Sequence, residues 1–230
     1  MPPILRLYED SLSGGVTPVR LPALARMIFV VHGAVTVDGK ALSDGETLSD
    51  GETFSDGEAW HGAGAVRLVP GKDGVTLWRF ELTAPGSNGD PLDGPGVRSQ
   101  EKLSAVMETV PQGELLLRGD SVGFPPGGCA HLHRHAGPGI RCLLEGGIRI
   151  DTHGRSTSYG PGCAWYETGS DPVFAQAAAD RPSRFIRVMV LPRALLGKSS
   201  FQFVNEEDKA KPRVQQYKIF TDMPIATPKG

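Results

Sequence analysis

The sequence predicts an all-β protein made of two related β-domains, and three observations predict it. Glycine and proline are abundant, at 30 and 19 among 230 residues, which suits many short strands joined by tight turns. Stretches rich in Val, Ile, Leu and Phe recur along the chain, each bounded by Gly, Pro, Asp or Ser. A pattern that begins at Val30 returns at Leu143.

Taken in order, the strand-like stretches are Met27–Val37, Thr76–Leu82, Gly113–Leu117, Ile140–Ile150, Cys163–Glu167 and Phe185–Leu191. One helix is predicted over Gln100–Thr109, where Leu103, Val106 and Met107 fall at helical spacing. A shorter helical candidate covers Pro192–Leu196. The stretch Ala84–Arg98 (APGSNGDPLDGPGVR) is almost all turn residues and reads as a linker. The expected organisation is therefore an N-terminal β-domain over 1–83 and a linker with a short helix over 84–110. A C-terminal β-domain follows over 111–196, then an extension over 197–230. That extension is polar but has apolar beads at Phe201, Phe203, Val204, Tyr217, Ile219 and Phe220, and a free tail would carry fewer aromatics. It is expected to pack on its own domain or on a partner subunit.

Two repeats are visible. Leu42–Thr47, Leu48–Thr53 and Phe54–Ala59 are three near-identical hexads (LSDGET, LSDGET, FSDGEA). Their Asp-Gly pairs mark turns, and one apolar residue in six cannot cover a sheet face, so they read as an expanded β-loop. The second repeat spans the chain. Val30–Val37 (VVHGAVTV) matches Leu143–Ile150 (LLEGGIRI), and downstream Gly57-Glu58-Ala59-Trp60 matches Gly162-Cys163-Ala164-Trp165.

Composition removes several classes. The net charge is −2 with no basic patch, which sets aside nucleic acid and membrane surfaces as partners. No apolar run is long enough to span a bilayer, and the N-terminus lacks the pattern of a signal peptide. Cys129, Cys142 and Cys163 are odd in number and widely spaced, as expected for free thiols in a cytoplasmic protein. There is no Gly-x-Ser-x-Gly elbow, phosphate loop or dinucleotide-binding glycine turn. Cys142 lies inside an apolar strand, which does not suit an activated nucleophile.

The segment Gly127–Gly146 (GGCAHLHRHAGPGIRCLLEG) carries the chemistry. On an extended strand, His131, His133 and His135 project to one side. Clustered imidazoles suit Zn, Fe, Ni, Cu or Mn; solvent-facing or hydrogen-bonded histidines are the alternative. The segment resembles the first signature of the cupin family, G-x5-H-x-H-x3–4-E-x6-G, through Gly127, His133, His135 and Gly146. Gly139 stands where that signature has glutamate. The second signature maps onto Gly162–Ala177, with Val173 in place of the metal-binding histidine.

The resemblance implies a bicupin, two jelly-roll β-barrels in one chain, assembled as a homodimer. It also implies one divalent metal ion, Fe before Zn, Ni or Mn, held by His133, His135 and a third ligand. Either His131 or Glu167 can supply that ligand, and Glu167 would complete a two-His, one-carboxylate set suited to non-haem iron. Glu167 is also the candidate catalytic base; the alternative is a surface or salt-bridged carboxylate. Trp165 shares its strand face and is a candidate substrate contact. Arg141 lies two residues beyond the missing carboxylate and could hold a substrate carboxylate by its fork; the alternative is a structural ion pair or an outward-facing residue. In the first half, the positions equivalent to the metal ligands hold Arg20, Pro22 and Arg26, and arginine cannot ligate a metal at neutral pH. Two functions follow: a metal-dependent enzyme on a small organic substrate, a dioxygenase first and an isomerase or lyase next, or a small-molecule-binding cupin without turnover.

Overall fold

The computed structural model describes residues 1–38 and 51–226. Apart from a few terminal residues, the chain forms two compact units, Pro3–Ser104 and Ala105 onward. The first unit holds β1 (Ile4–Leu12), β2 (Val19–Leu21), β3 (Arg26–Asp38), β4 (Glu52–Ser55), β5 (Ala59–Gly62), β6 (Val66–Thr83) and most of β7 (Val97–Val106). Then come β8 (Leu115–Phe124), β9 (Cys129–His135), β10 (Gly139–Glu145), β11 (Ile148–Thr152) and β12 (Arg155–Tyr159). The second unit is completed by β13 (Ala164–Glu167), β14 (Val173–Ala177), β15 (Ser183–Pro192), β16 (Phe201–Phe203) and β17 (Gln216–Ile225). The only helical segments among the described residues are single 3-10 turns at Arg193–Leu195 and Glu206–Ala210. Among the described residues no helix is long and apolar enough to cross a membrane.

In the second unit the strands form two antiparallel sheets, ordered β13-β10-β15-β8-β17 and β12-β11-β14-β9-β16. Their apolar sides face each other, Val122, Leu143, Trp165 and Phe185 from one meeting Ala130, Ile148, Ile150 and Val173 from the other. The first unit runs β4-β3-β6-β1-β7, with β5 also on β3 and β2 on β6. Among the described residues, neither unit closes a sheet into a continuous barrel. The central order is nonetheless shared: β3-β6-β1-β7 in one unit, β10-β15-β8-β17 in the other.

The long sequence repeat has a backbone explanation. Gly33 and Gly146 both adopt positive φ, at 86° and 83°, where a side chain is strained. A Cβ would also meet Gly74 O at 2.2 Å in the first case and Pro182 O at 2.3 Å in the second. The predicted single strand Ile140–Ile150 is therefore split by the Gly146-Gly147 pair, so that β10 and β11 lie in different sheets. The downstream match is equally local. Gly57 N donates to Val30 O and Val30 N to Glu58 O; Gly162 N donates to Leu143 O and Leu143 N to Cys163 O.

The predicted helix over Gln100–Thr109 is a strand. Residues 100–106 lie in β7, on the edge next to β1, whose charges decide their conformation, and 107–109 lead out of it through a turn. Arg6 bonds Glu101 at 2.6 Å and Ser104 at 3.0 Å, and Lys102 reaches Glu9 at 3.2 Å. The expected apolar helix face does not form: Met107 is fully buried while Val106 is 46% exposed. Tertiary pairing overrides a weak local periodicity. Pro192–Leu196 forms only the 3-10 turn Arg193–Leu195. The turn-rich stretch 84–96 has no regular structure. It folds onto its own unit, where Asp90 N donates to the Tyr8 hydroxyl and Arg6 donates to Ser87 O. Of the three hexads, Leu42–Thr47 and the start of Leu48–Thr53 lie outside the described residues.

Candidate functional site

The site is built on β9, and a β-bulge decides which of its histidines belong to it. Val173 of β14 pairs with His133, but Ala175 pairs with Ala130. Two steps along β14 are thus matched by three along β9, which breaks the side-chain alternation. Ala130, His133 and His135 line the space between the sheets. His131 is turned away from them. Its Nδ1 lies 3.9 Å from Asp208 Oδ1, its Nε2 3.8 Å from Cys129 Sγ, and its ring beside Phe174. The three imidazoles expected on one face are therefore two.

His133 and His135 are both buried, with ring centroids 4.9 Å apart, and Phe201 stacks on His133 at 4.3 Å. His133 Nδ1–H donates to the His131 carbonyl at 2.8 Å, so Nε2 is the unprotonated nitrogen and lacks a protein partner among the described residues. Arg187 Nη1 lies 3.4 Å from His135 Nε2, and His135 Nδ1 lies 3.3 Å from Ser200 Oγ. Burial, reinforced by the Arg187 and Arg141 charges, pushes the pKa of His133 down to about 4, only partly offset by Glu167. Burial and the same two arginines hold His135 well below its ordinary value. Both rings are neutral at neutral pH.

Glu167 and Arg141 are brought together, with each other. The register places Arg141 opposite Trp165 and Gly139 opposite Glu167. Arg141 Nη2 reaches Glu167 Oε2 at 2.8 Å, and Trp165 Nε1 donates to Glu167 Oε1 at 2.8 Å. Arg141 also donates to the Gly139 carbonyl at 2.7 Å and is fully buried. That burial lowers the pKa of Arg141 to about 10 despite Glu167, so it remains a cation at neutral pH. Trp165 stacks on Tyr159 and meets Phe185 edge-on.

Arg187 also lines this space, and it belongs to a second buried pair. Arg187 of β15 grips Asp120 of β8 by both oxygens, at 2.9 and 2.6 Å. Sequence reasoning missed both residues, though the signal was present: each is a charge inside an otherwise apolar strand, and such a charge must be paired. The space enclosed by these groups is small, about 20 Å³ for the centre of a water molecule, room for about one or two waters.

These residues do not fit a divalent metal ion. Among the described residues no three His, Cys, Asp or Glu side chains converge to hold one. The carboxylate beside the two histidines is already neutralised by Arg141, and a dication there would face two guanidiniums. Position 139 cannot take back the missing glutamate, because a Cβ on Gly139 would lie 2.4 Å from Val188 O and 2.7 Å from Met189 Cγ. Val173, at the other lost ligand position, is part of the apolar core.

No protein-family model and no curated protein sequence matches the chain. Solved structures do match. A cupin 2 conserved barrel domain protein from Leptotrichia buccalis superposes with a TM-score of 0.50 at 14% identity, over 83% of this chain and 85% of that one. Oxalate decarboxylase from Lactobacillus farciminis, in a formate complex, gives 0.57 at 13% identity over 92% and 82%. A variant of the Bacillus subtilis oxalate decarboxylase gives 0.59 at 13% over 90% and 73%. The fold is that of cupin proteins. Identities this low carry the fold and leave activity to be argued from the residues.

Proposed function

We propose that the second unit is a cupin-type small-molecule-binding module that works without a resident metal ion. One observation carries this reading: Glu167, the only carboxylate among the described residues that lines the space with His133 and His135, is bonded through both oxygens, to Arg141 and Trp165. The alternatives weighed separately for Arg141 and Glu167, a structural ion pair and a salt-bridged carboxylate, are one interaction. The two ion pairs then brace one sheet, β10 to β13 and β15 to β8, and the space beside them is too small for an organic molecule. Ligand-sized space lies beside it, in a cleft of about 300 Å³ that shares His135, Arg187, Phe201 and Tyr217 with the core.

A second reading is a metal-dependent enzyme, a non-haem iron dioxygenase first, with Zn, Ni or Mn lyase or isomerase chemistry behind it. It rests on the closeness of the His133 and His135 rings, 4.9 Å between centroids. It requires Arg141 to give up Glu167.

A thermal-shift screen of small organic molecules separates the two. The metal-free reading predicts ligands that raise the melting temperature equally with and without a chelator. Stabilisation that appears only after loading with Fe, Zn, Ni or Mn contradicts it, as does a panel that gives no shift under either condition.

A further inference from the structure

The cleft beside the core has a composition of its own. Its walls come from β8, β15, β17 and residues 197–201, and its volume of about 300 Å³ falls at the lower end of small-molecule sites. Two of its four cations are spoken for. Arg118 is held by both oxygens of Asp222 and by the carbonyls of Leu195 and Lys198. Arg187 is held by Asp120.

The other two, Lys198 and Arg213, are exposed at the rim. Neither makes an ion pair or a side-chain hydrogen bond among the described residues. Arg213 is not loose, however: its guanidinium sits 5.0 Å from the centre of the Phe201 ring and 4.8 Å from that of Phe203, a cation–π arrangement that holds it without using its N–H donors in a hydrogen bond. The same cleft is also lined by apolar side chains. Tyr217 and Ile219 are 50% and 55% exposed on the edge strand β17, and Phe201 adds a third apolar side chain.

Two unmatched positive charges beside exposed apolar side chains complement an anion with a hydrocarbon body. An inorganic anion would leave Tyr217 and Ile219 in water, and a neutral hydrocarbon would leave the cations unused. We propose that this cleft binds a small organic monocarboxylate, with its apolar body against Tyr217, Ile219 and Phe201 and its carboxylate between Arg213 and Lys198. The assignment rests on the second unit being a small-molecule-binding module, and names the ligand class.

Benzoate is the probe, with benzamide as its neutral counterpart. Titration of the full chain is followed by calorimetry and by the backbone amide NMR signals of Gly197, Ser199 and Ile219. Benzoate is expected to bind saturably and shift these signals, and benzamide to bind about ten-fold more weakly, as loss of a charge-assisted bond implies. Arg213→Gln and Lys198→Gln, both at exposed positions, are expected to keep the fold. Each should weaken benzoate by about three- to ten-fold, with little change for benzamide.

The proposal is overturned if benzoate shows no saturable binding up to about 20 mM. Equal affinity for benzoate and benzamide, or unchanged affinity in the Arg213→Gln/Lys198→Gln double variant, overturns it as well. So does a concentration-dependent dimer that Ile219→Asp dissociates while benzoate stays unbound, which would assign the apolar wall to a second copy. Stabilisation by neutral compounds in chelator, with benzoate silent, removes this inference and leaves the metal-free reading standing. Stabilisation that needs metal removes the reading beneath it.

Discussion

Arg141 and Glu167 decide the chemistry of this molecule one residue at a time. A guanidinium that is fully buried needs its counter-charge, and Glu167 supplies it at 2.8 Å. Removing one partner is therefore worse than removing both. Glu167→Gln is expected to cost about 3–5 kcal/mol in urea unfolding, and the double variant Arg141→Met/Glu167→Leu to recover most of that; a Glu167→Gln protein as stable as wild type would contradict the pair. His133 gives a pH prediction with a definite sign. Its pKa falls from 6.5 to about 4 on folding, so the unfolded chain binds more protons between those values. The stability it contributes is complete above pH 6.5 and is lost as pH falls toward 4, at most roughly 3 kcal/mol by linkage. Urea melts at pH 7.5, 6.0 and 5.0 should show a shallower decline for His133→Gln than for wild type, and parallel declines would count against a buried neutral imidazole. The sequence shows each of these residues as a candidate. It does not show that Arg141 and Glu167 choose each other, because that depends on the register between β10 and β13.

At the level of elements, strands are more legible than their details. β3, β15 and the second half of β6 follow from runs of Val, Ile, Leu and Phe. The β9 bulge does not, since one extra residue is invisible to a rule of alternation, and it removes His131 from the cluster. The helix expected at Gln100–Thr109 fails for a related reason: β1 recruits Glu101, Lys102 and Ser104. Gly139 yields a prediction at this scale. Gly139→Glu restores the carboxylate of the cupin signature on paper, yet its Cβ would lie 2.4 Å from Val188 O. The expected outcome is a large loss of melting temperature with no gain in bound metal; a stable, metal-loaded Gly139→Glu protein would show that β10 and β15 can part. Gly146→Ala should also destabilise, by more than about 1 kcal/mol, because both its φ and the contact with Pro182 O oppose a side chain.

Over the whole molecule, the repeat is what sequence reading captures best. Gly33 and Gly146 share a positive φ, the turns at Gly57 and Gly162 set the same backbone hydrogen bonds in each unit, and glycine positions of this kind are visible without a structure. The units also share an arginine that no motif marks. Arg79 lies on β6 between β3 and β1, and Arg187 on β15 between β10 and β8. Each is bonded through Nε to a buried aspartate, Asp10 in one and Asp120 in the other. Both units therefore brace their interiors with buried ion pairs, and in the second unit those pairs occupy the surroundings of the two histidines. Metal content tests this most directly: mass spectrometry of tag-free protein after incubation with Fe, Zn, Ni and Mn, beside the His133→Ala/His135→Ala variant. Far less than one ion per chain is expected, with no difference between the two proteins. Near-stoichiometric metal in the wild type that disappears in the variant would contradict it.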